Sequence, residues 1–108
     1  MGSFSAAEED CPPASVPEGA LARELPIINR KGLHARASAK FVQTVERYDS
    51  DVTVTRCGET VGGRSIMGLL TLGAAQGTTI TVTARGEDAA ACLDGIAALL
   101  ANRFGEDE

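Results

Sequence analysis

Apolar positions follow a period of two in some stretches of this chain and a period near three and a half in others, and the alternation between them sketches a fold. Ala22 to Ile28, with Leu25, Ile27 and Ile28 apolar, predicts a first strand. Pro26 lacks an N–H and suits an edge position. Asn29 to Leu33 reads as a loop, and Ala35 to about Arg47 as a helix whose buried stripe is Ala37, Phe41, Val45 and Tyr48, with Arg36, Lys40, Gln43 and Arg47 on its polar surface. Asp51-Val52-Thr53-Val54-Thr55 alternates as a half-buried strand does. Arg56-Cys57-Gly58-Glu59 predicts a hairpin turn, and Thr60-Val61 a short return strand stopped by Gly62-Gly63. Ser65 is placed to N-cap a short apolar helix over Ile66 to Leu72, which Gly73 ends. Thr78 to Ala84 is β-branched and alternating. Ala89 to Arg103 predicts a final helix with Ala89, Leu93, Ile96 and Leu100 on its inner face, stopped by Gly105. Four strands and three helices in this order predict an α+β, two-layer domain, the helices covering one face of the sheet. Thr53, Thr55, Thr79, Thr81 and Thr83 suit a solvated opposite face.

Outside this pattern lie residues 1–20, rich in Ser, Pro, Ala, Gly and acid, which read as a flexible acidic tail. The folded domain is expected over residues 21–105, with 106–108 as an acidic end. A net charge of −5 argues against nucleic acid as a main partner, since gripping a phosphate backbone takes clustered Lys and Arg. A local basic cluster of Arg30, Lys31, Arg36 and Lys40 nevertheless surrounds the single histidine, His34. No apolar run spans a bilayer and no signal peptide is visible, so a cytoplasmic monomer without membrane insertion is expected. Cys11, Cys57 and Cys92 show no zinc spacing and are expected to be reduced and structurally incidental; no metal site is expected.

The candidate chemistry lies in Asn29-Arg30-Lys31-Gly32-Leu33-His34-Ala35-Arg36. A turn precedes His34 and a helix begins beside it, so its imidazole falls where free backbone N–H groups and the helix dipole favour an anion. Arg36 can grip a phosphate bidentately. A nucleophilic ring nitrogen beside such a nest points to a histidine that is itself phosphorylated. The bland alternatives are a surface capping histidine at His34 and a solvated arginine at Arg36. For Ser65 the bland reading is a plain N-cap.

Gly32-Leu33-His34-Ala35-Arg36 and Arg64-Ser65-Ile66-Met67-Gly68-Leu69-Leu70, each at a predicted helix start, together with the element order resemble the histidine-containing phosphocarrier family, HPr, of the phosphoenolpyruvate-dependent phosphotransferase system. The resemblance covers about residues 21–104. It implies an open-faced β-sandwich, a four-stranded antiparallel sheet covered on one face by three helices. It implies that His34 accepts the phosphoryl group, through Nδ1 in that family, and that Arg36 binds the phosphate. Ser65 matches a serine modified by a dedicated HPr kinase/phosphorylase. The implied donor is an Enzyme I-type protein and the implied acceptors are IIA-type proteins, for sugar uptake or nitrogen-linked regulation. Such a protein is a covalent carrier, not an enzyme, and needs no cofactor of its own. Arg30, Lys31 and Lys40 are expected to steer partners, and Ile66, Met67, Leu69 and Leu70 to offer them an apolar patch. Ala37 stands where many members have proline. The rival reading is a regulatory module controlled through Ser65 without phosphoryl relay. Weaker rivals are a two-component phosphotransfer domain, which carries its histidine mid-helix in a helical bundle whereas this chain has clear strands, and, weaker still, a stand-alone hydrolase, since there is no second histidine and no pair of carboxylates flanks a nucleophile.

Overall fold

The computed structural model describes residues 14–108. Four strands form one sheet: β1 (Leu21–Pro26), β2 (Asp51–Arg56), β3 (Glu59–Gly62) and β4 (Thr79–Arg85). Their spatial order is β1-β4-β2-β3, with every neighbouring pair antiparallel. The helices among the described residues are α1 (Ala35–Val45), α2 (Ile66–Thr71) and α3 (Ala89–Ala101), and a short 3₁₀ turn, Arg103–Gly105, follows. This is the two-layer arrangement the periodicity predicts. Pro26 sits at the end of an edge strand, opposite Thr79, where its missing N–H costs least.

The core forms where the period-two face of the sheet meets the helical stripes. Cross-strand register brings Val54 opposite Val82, Val52 opposite Ala84 and Leu25 opposite Ile80, all buried. Ala37, Phe41 and Val45 of α1, Leu69 of α2, and Leu93, Ile96 and Leu100 of α3 close over them. Phe41 and Phe104 are the largest side chains wholly enclosed, so an otherwise aliphatic core is filled by two rings.

Several sequence expectations need correction. Helix α1 ends at Val45 because Arg47 and Tyr48 take three-residue-back bonds to Thr44 and Val45. Helix α3 ends at Ala101, and Arg103, Phe104 and Gly105 all adopt positive φ (54°, 55° and 79°), which turns the chain back toward α1. In the β2–β3 hairpin Cys57 and Gly58 both have positive φ, as a two-residue type I′ turn requires. Cys57 is disulfide-bonded, contrary to the expectation of reduced cysteines, whereas Cys92 is free and buried in α3. Cys11 and residues 1–13 of the expected tail lie outside the described residues. The threonine face is less open than expected: Thr55 and Thr83 are buried. Hydroxyls pair across strands, Thr53 with Thr83 at 2.5 Å and Thr55 with Thr60 at 2.7 Å, and Pro17 and Ala20 line a shallow cleft with Thr53 and Thr83. No helix among the described residues is long and apolar enough to cross a membrane.

Candidate functional site: His34 and the loops around it

The chain reaches His34 through a tightly tied loop. Ile27 N–H bonds Thr78 O and Leu33 N–H bonds Ala74 O, so both ends of the loop hang on the α2–β4 connection. Gly32 makes the turn at φ +71°. A β-carbon there would stand 2.6 Å from Ala74 O, so both the backbone conformation and the space demand glycine. Inside the loop Asn29 is fully buried, and its Nδ2 donates to Gly32 O at 2.8 Å. Ser38, also fully buried, donates from Oγ to Leu33 O at 3.3 Å.

His34 is the N-cap of α1, in extended backbone with ψ −177°. Its carbonyl accepts from Ser38 N–H, which starts the helix, but its side chain makes no cap bond. The first-turn N–H groups are therefore left uncapped by the imidazole, and no acidic residue occupies the first turn. Here the helix presents unsatisfied donors and the positive end of its dipole beside the ring. Arg36 is exposed and forms no ion pair or hydrogen bond with a described residue. Its guanidinium is free to reach an anion at the same helix end.

The imidazole does have a partner, one the sequence reading missed. Nε2 of His34 bonds the Glu106 carboxylate through Oε2, and Asn29 Nδ2 donates to the other oxygen, Oε1, at 3.0 Å. Burial alone would raise the Glu106 pKa. The hydrogen bonds from Asn29 and His34, with the charges of His34 and Lys31, outweigh it and hold the carboxyl below its ordinary value. The signal available in sequence was Gly105 followed by three acids, but nothing local says that a terminal acid folds back about seventy positions onto a histidine.

The same return of the chain engages the basic cluster. Arg30 pairs with Glu108 at 2.6 Å, both side chains well exposed, and Lys40 donates to Phe104 O at 2.7 Å. Lys31 is exposed and lines a shallow cleft with Arg30, Glu106, Asp107 and Glu108. Of the four cations expected to surround His34, two are thus tied to the C-terminal segment.

The second motif folds as its sequence suggests. Ser65 caps α2, its Oγ accepting from Gly68 N–H at 3.0 Å, and it is exposed. Met67 is 71% exposed and Ile66 39%. Leu69 is a correction: it is fully buried, because helical spacing turns it onto the core, and it cannot belong to a contact patch. Leu70 is half-buried.

The family profile described as "PTS HPr component phosphorylation site" matches residues 21–102. The chain belongs to the HPr phosphocarrier family. Among curated relatives, the phosphocarrier protein HPr of Cupriavidus necator is 47% identical over 88 residues, covering 82% of this chain and 99% of its own length. The phosphocarrier protein NPr of Shewanella violacea is 38% identical over 86 residues, covering 80% and 94% respectively. Among solved structures, HPr from Thermoanaerobacter tengcongensis superposes with a TM-score of 0.78 at 34% identity, covering 82% of this chain and 99% of its own. Members of this family are phosphoryl carriers of the phosphotransferase system rather than catalysts, and the open-faced sandwich is their fold.

Proposed function

We propose that this protein accepts a phosphoryl group on His34 from an Enzyme I-type donor and passes it to IIA-type acceptors. The observation that carries this reading is the placement of its single imidazole as the N-cap of α1, beside uncapped first-turn N–H groups and the exposed Arg36, which pairs with no described residue. A neutral imidazole is a competent nucleophile near neutral pH. Once attached, a phosphate meets helix N–H donors and a guanidinium that need no reorganisation to bind it. The reading is tested by reconstitution with phosphoenolpyruvate, Mg²⁺ and Enzyme I, followed by a chase into a IIA-type protein. Passage of label through the carrier supports it, and retention of label on the donor refutes it. The cytoplasm, where such donors work, is the corresponding location.

Arg36→Ala is expected to leave His34 competent but slow its loading about tenfold, the loss of one charge-assisted contact to the transferring phosphate. Stopped-time phosphorylation assays measure this. An unchanged rate would return Arg36 to the solvated surface.

Ser65, the exposed cap of α2, is proposed as a site for a kinase/phosphorylase, with Ile66, Met67 and the half-buried Leu70 as the patch that docks partners. A phosphate there would add negative charge beside the patch and repel an acidic partner. Ser65→Asp keeps a competent N-cap and so should fold normally. Its loading through Enzyme I is expected to fall about tenfold; a wild-type rate would leave Ser65 as a cap alone.

A further inference from the structure

We propose that Glu106 is a positioning residue for His34: it holds the ring by Nε2–H and presents Nδ1 as the nucleophile. The inference rests on the carrier reading above and assigns a task to a residue beyond the matched span of 21–102. The carboxylate is held by both oxygens, one on His34 and one on the buried Asn29, which is itself bound to the loop through Gly32 O. The chain on either side of it is fastened. Upstream, Phe104 is enclosed in the core and its carbonyl accepts from Lys40. Downstream, the Arg30 N–H and guanidinium both bond Glu108. Glu106 is thus delivered to the ring by a strap secured at both ends.

The chemistry follows from which nitrogen is taken. A ring nitrogen facing a carboxylate is the one that carries the proton, so the other holds the lone pair. Nε2 faces Glu106, and no described residue hydrogen-bonds Nδ1. In loading, the Nδ1 lone pair attacks the donor's phosphorus and a P–N bond forms. The donor's bond to phosphorus breaks, its electron pair leaving with the donor atom. The Nε2 proton stays in place, so the ring gains positive charge as the new bond forms, facing the Glu106 carboxylate. The side chains are only 29% (His34) and 17% (Glu106) exposed, which strengthens that interaction relative to one in water.

Four proteins test this: wild type, Glu106→Ala, Glu106→Gln and Asp107→Asn. Glutamine is nearly isosteric but offers one oxygen, so either Asn29 or His34 loses its acceptor. Asp107→Asn makes the same change of charge on the same strap without touching the ring. The first readout is ¹⁵N NMR of the His34 ring in the unphosphorylated protein. Wild type and Asp107→Asn should show a single tautomer with a protected Nε2–H; Glu106→Ala should lose that protection and Glu106→Gln should reduce it. The second readout is loading by Enzyme I, expected to be about tenfold slower in Glu106→Ala and unchanged in Asp107→Asn. A Glu106→Ala protein that loads as fast as wild type, or faster, overturns the proposal even if its tautomer changes. A wild type that no donor loads refutes the carrier reading instead. In that case the NMR result alone decides whether Glu106 sets the ring's tautomer, and an unchanged spectrum rejects it.

Discussion

His34→Ala is expected to gain no phosphoryl group under conditions that load the wild-type protein. The chain has one histidine, so no other imidazole can take over. The substitution is mild for the fold: the side chain makes no helix-cap bond, and its contact with Glu106 is partly open to solvent. Losing that contact should cost about 1 kcal/mol or less, as pairs near the surface do, and alanine is an acceptable helix neighbour. Loss of loading with a melting temperature lowered by no more than about 4–8 °C separates a chemical role from a structural one. Intact mass after incubation with donor, paired with a thermal melt, provides both numbers. A variant that still loads fully would remove His34 from the chemistry.

Gly32→Ala should instead damage stability and function together. At φ +71° an L-residue is strained by about 1–2 kcal/mol. The added carbon would also lie 2.6 Å from Ala74 O and 3.0 Å from Ala75 Cα, both backbone atoms that no rotamer change can move. Ala74 O is the acceptor that fixes Leu33, so relief of the clash means breaking the bond that holds the residue next to His34. A loss of about 2–4 kcal/mol is expected, with a melting temperature lower by about 10 °C or more. Gly32 O also receives Asn29 Nδ2, so displacement of the turn disturbs the group that holds Glu106 and loading should slow as well. A melt within about 1 kcal/mol of wild type and an unaltered loading rate would show that the loop can yield at this point.

Much of the fold was legible because short-range physics governs it. The spacing of Ala37, Phe41 and Val45 and the alternation of Val52 and Val54 each point to one face, and all five residues are buried. Ser65 ahead of an apolar run predicts the cap that Gly68 N–H completes. The site was legible as far as it is local: His34 falls at the helix start because Gly32 must turn the chain and alanine-rich sequence must coil after it. What could not be read are contacts set by tertiary closure. Glu106 and Lys40 meet their partners only because three consecutive left-handed residues reverse the chain after α3, and neither Arg103 nor Phe104 advertises such a conformation. The side of α2 that Leu69 occupies is not legible either, because a six-residue helix of mostly apolar residues does not declare which side faces the sheet. The buried threonines share that cause: alternation identifies the second face of a sheet but not what lies against it.

The basic cluster shows how this matters for function. Counted along the chain, Arg30, Lys31, Arg36 and Lys40 make a positive rim for acidic partners. In the folded protein Arg30 is held by Glu108 and Lys40 by the carbonyl of Phe104, while Lys31 and Arg36 are exposed. Electrostatic steering of the acidic partner proposed above would accordingly be weaker, and less sensitive to salt, than four unpaired cations would make it.

The most direct measurement is intact mass of the wild-type protein after incubation with phosphoenolpyruvate, Mg²⁺ and Enzyme I, repeated after brief acid treatment. A carrier working through His34 gains the mass of one phosphoryl group, and acid removes it. Absence of any gain with several Enzyme I types, or a phosphate that survives acid, would contradict phosphoryl transfer through the histidine.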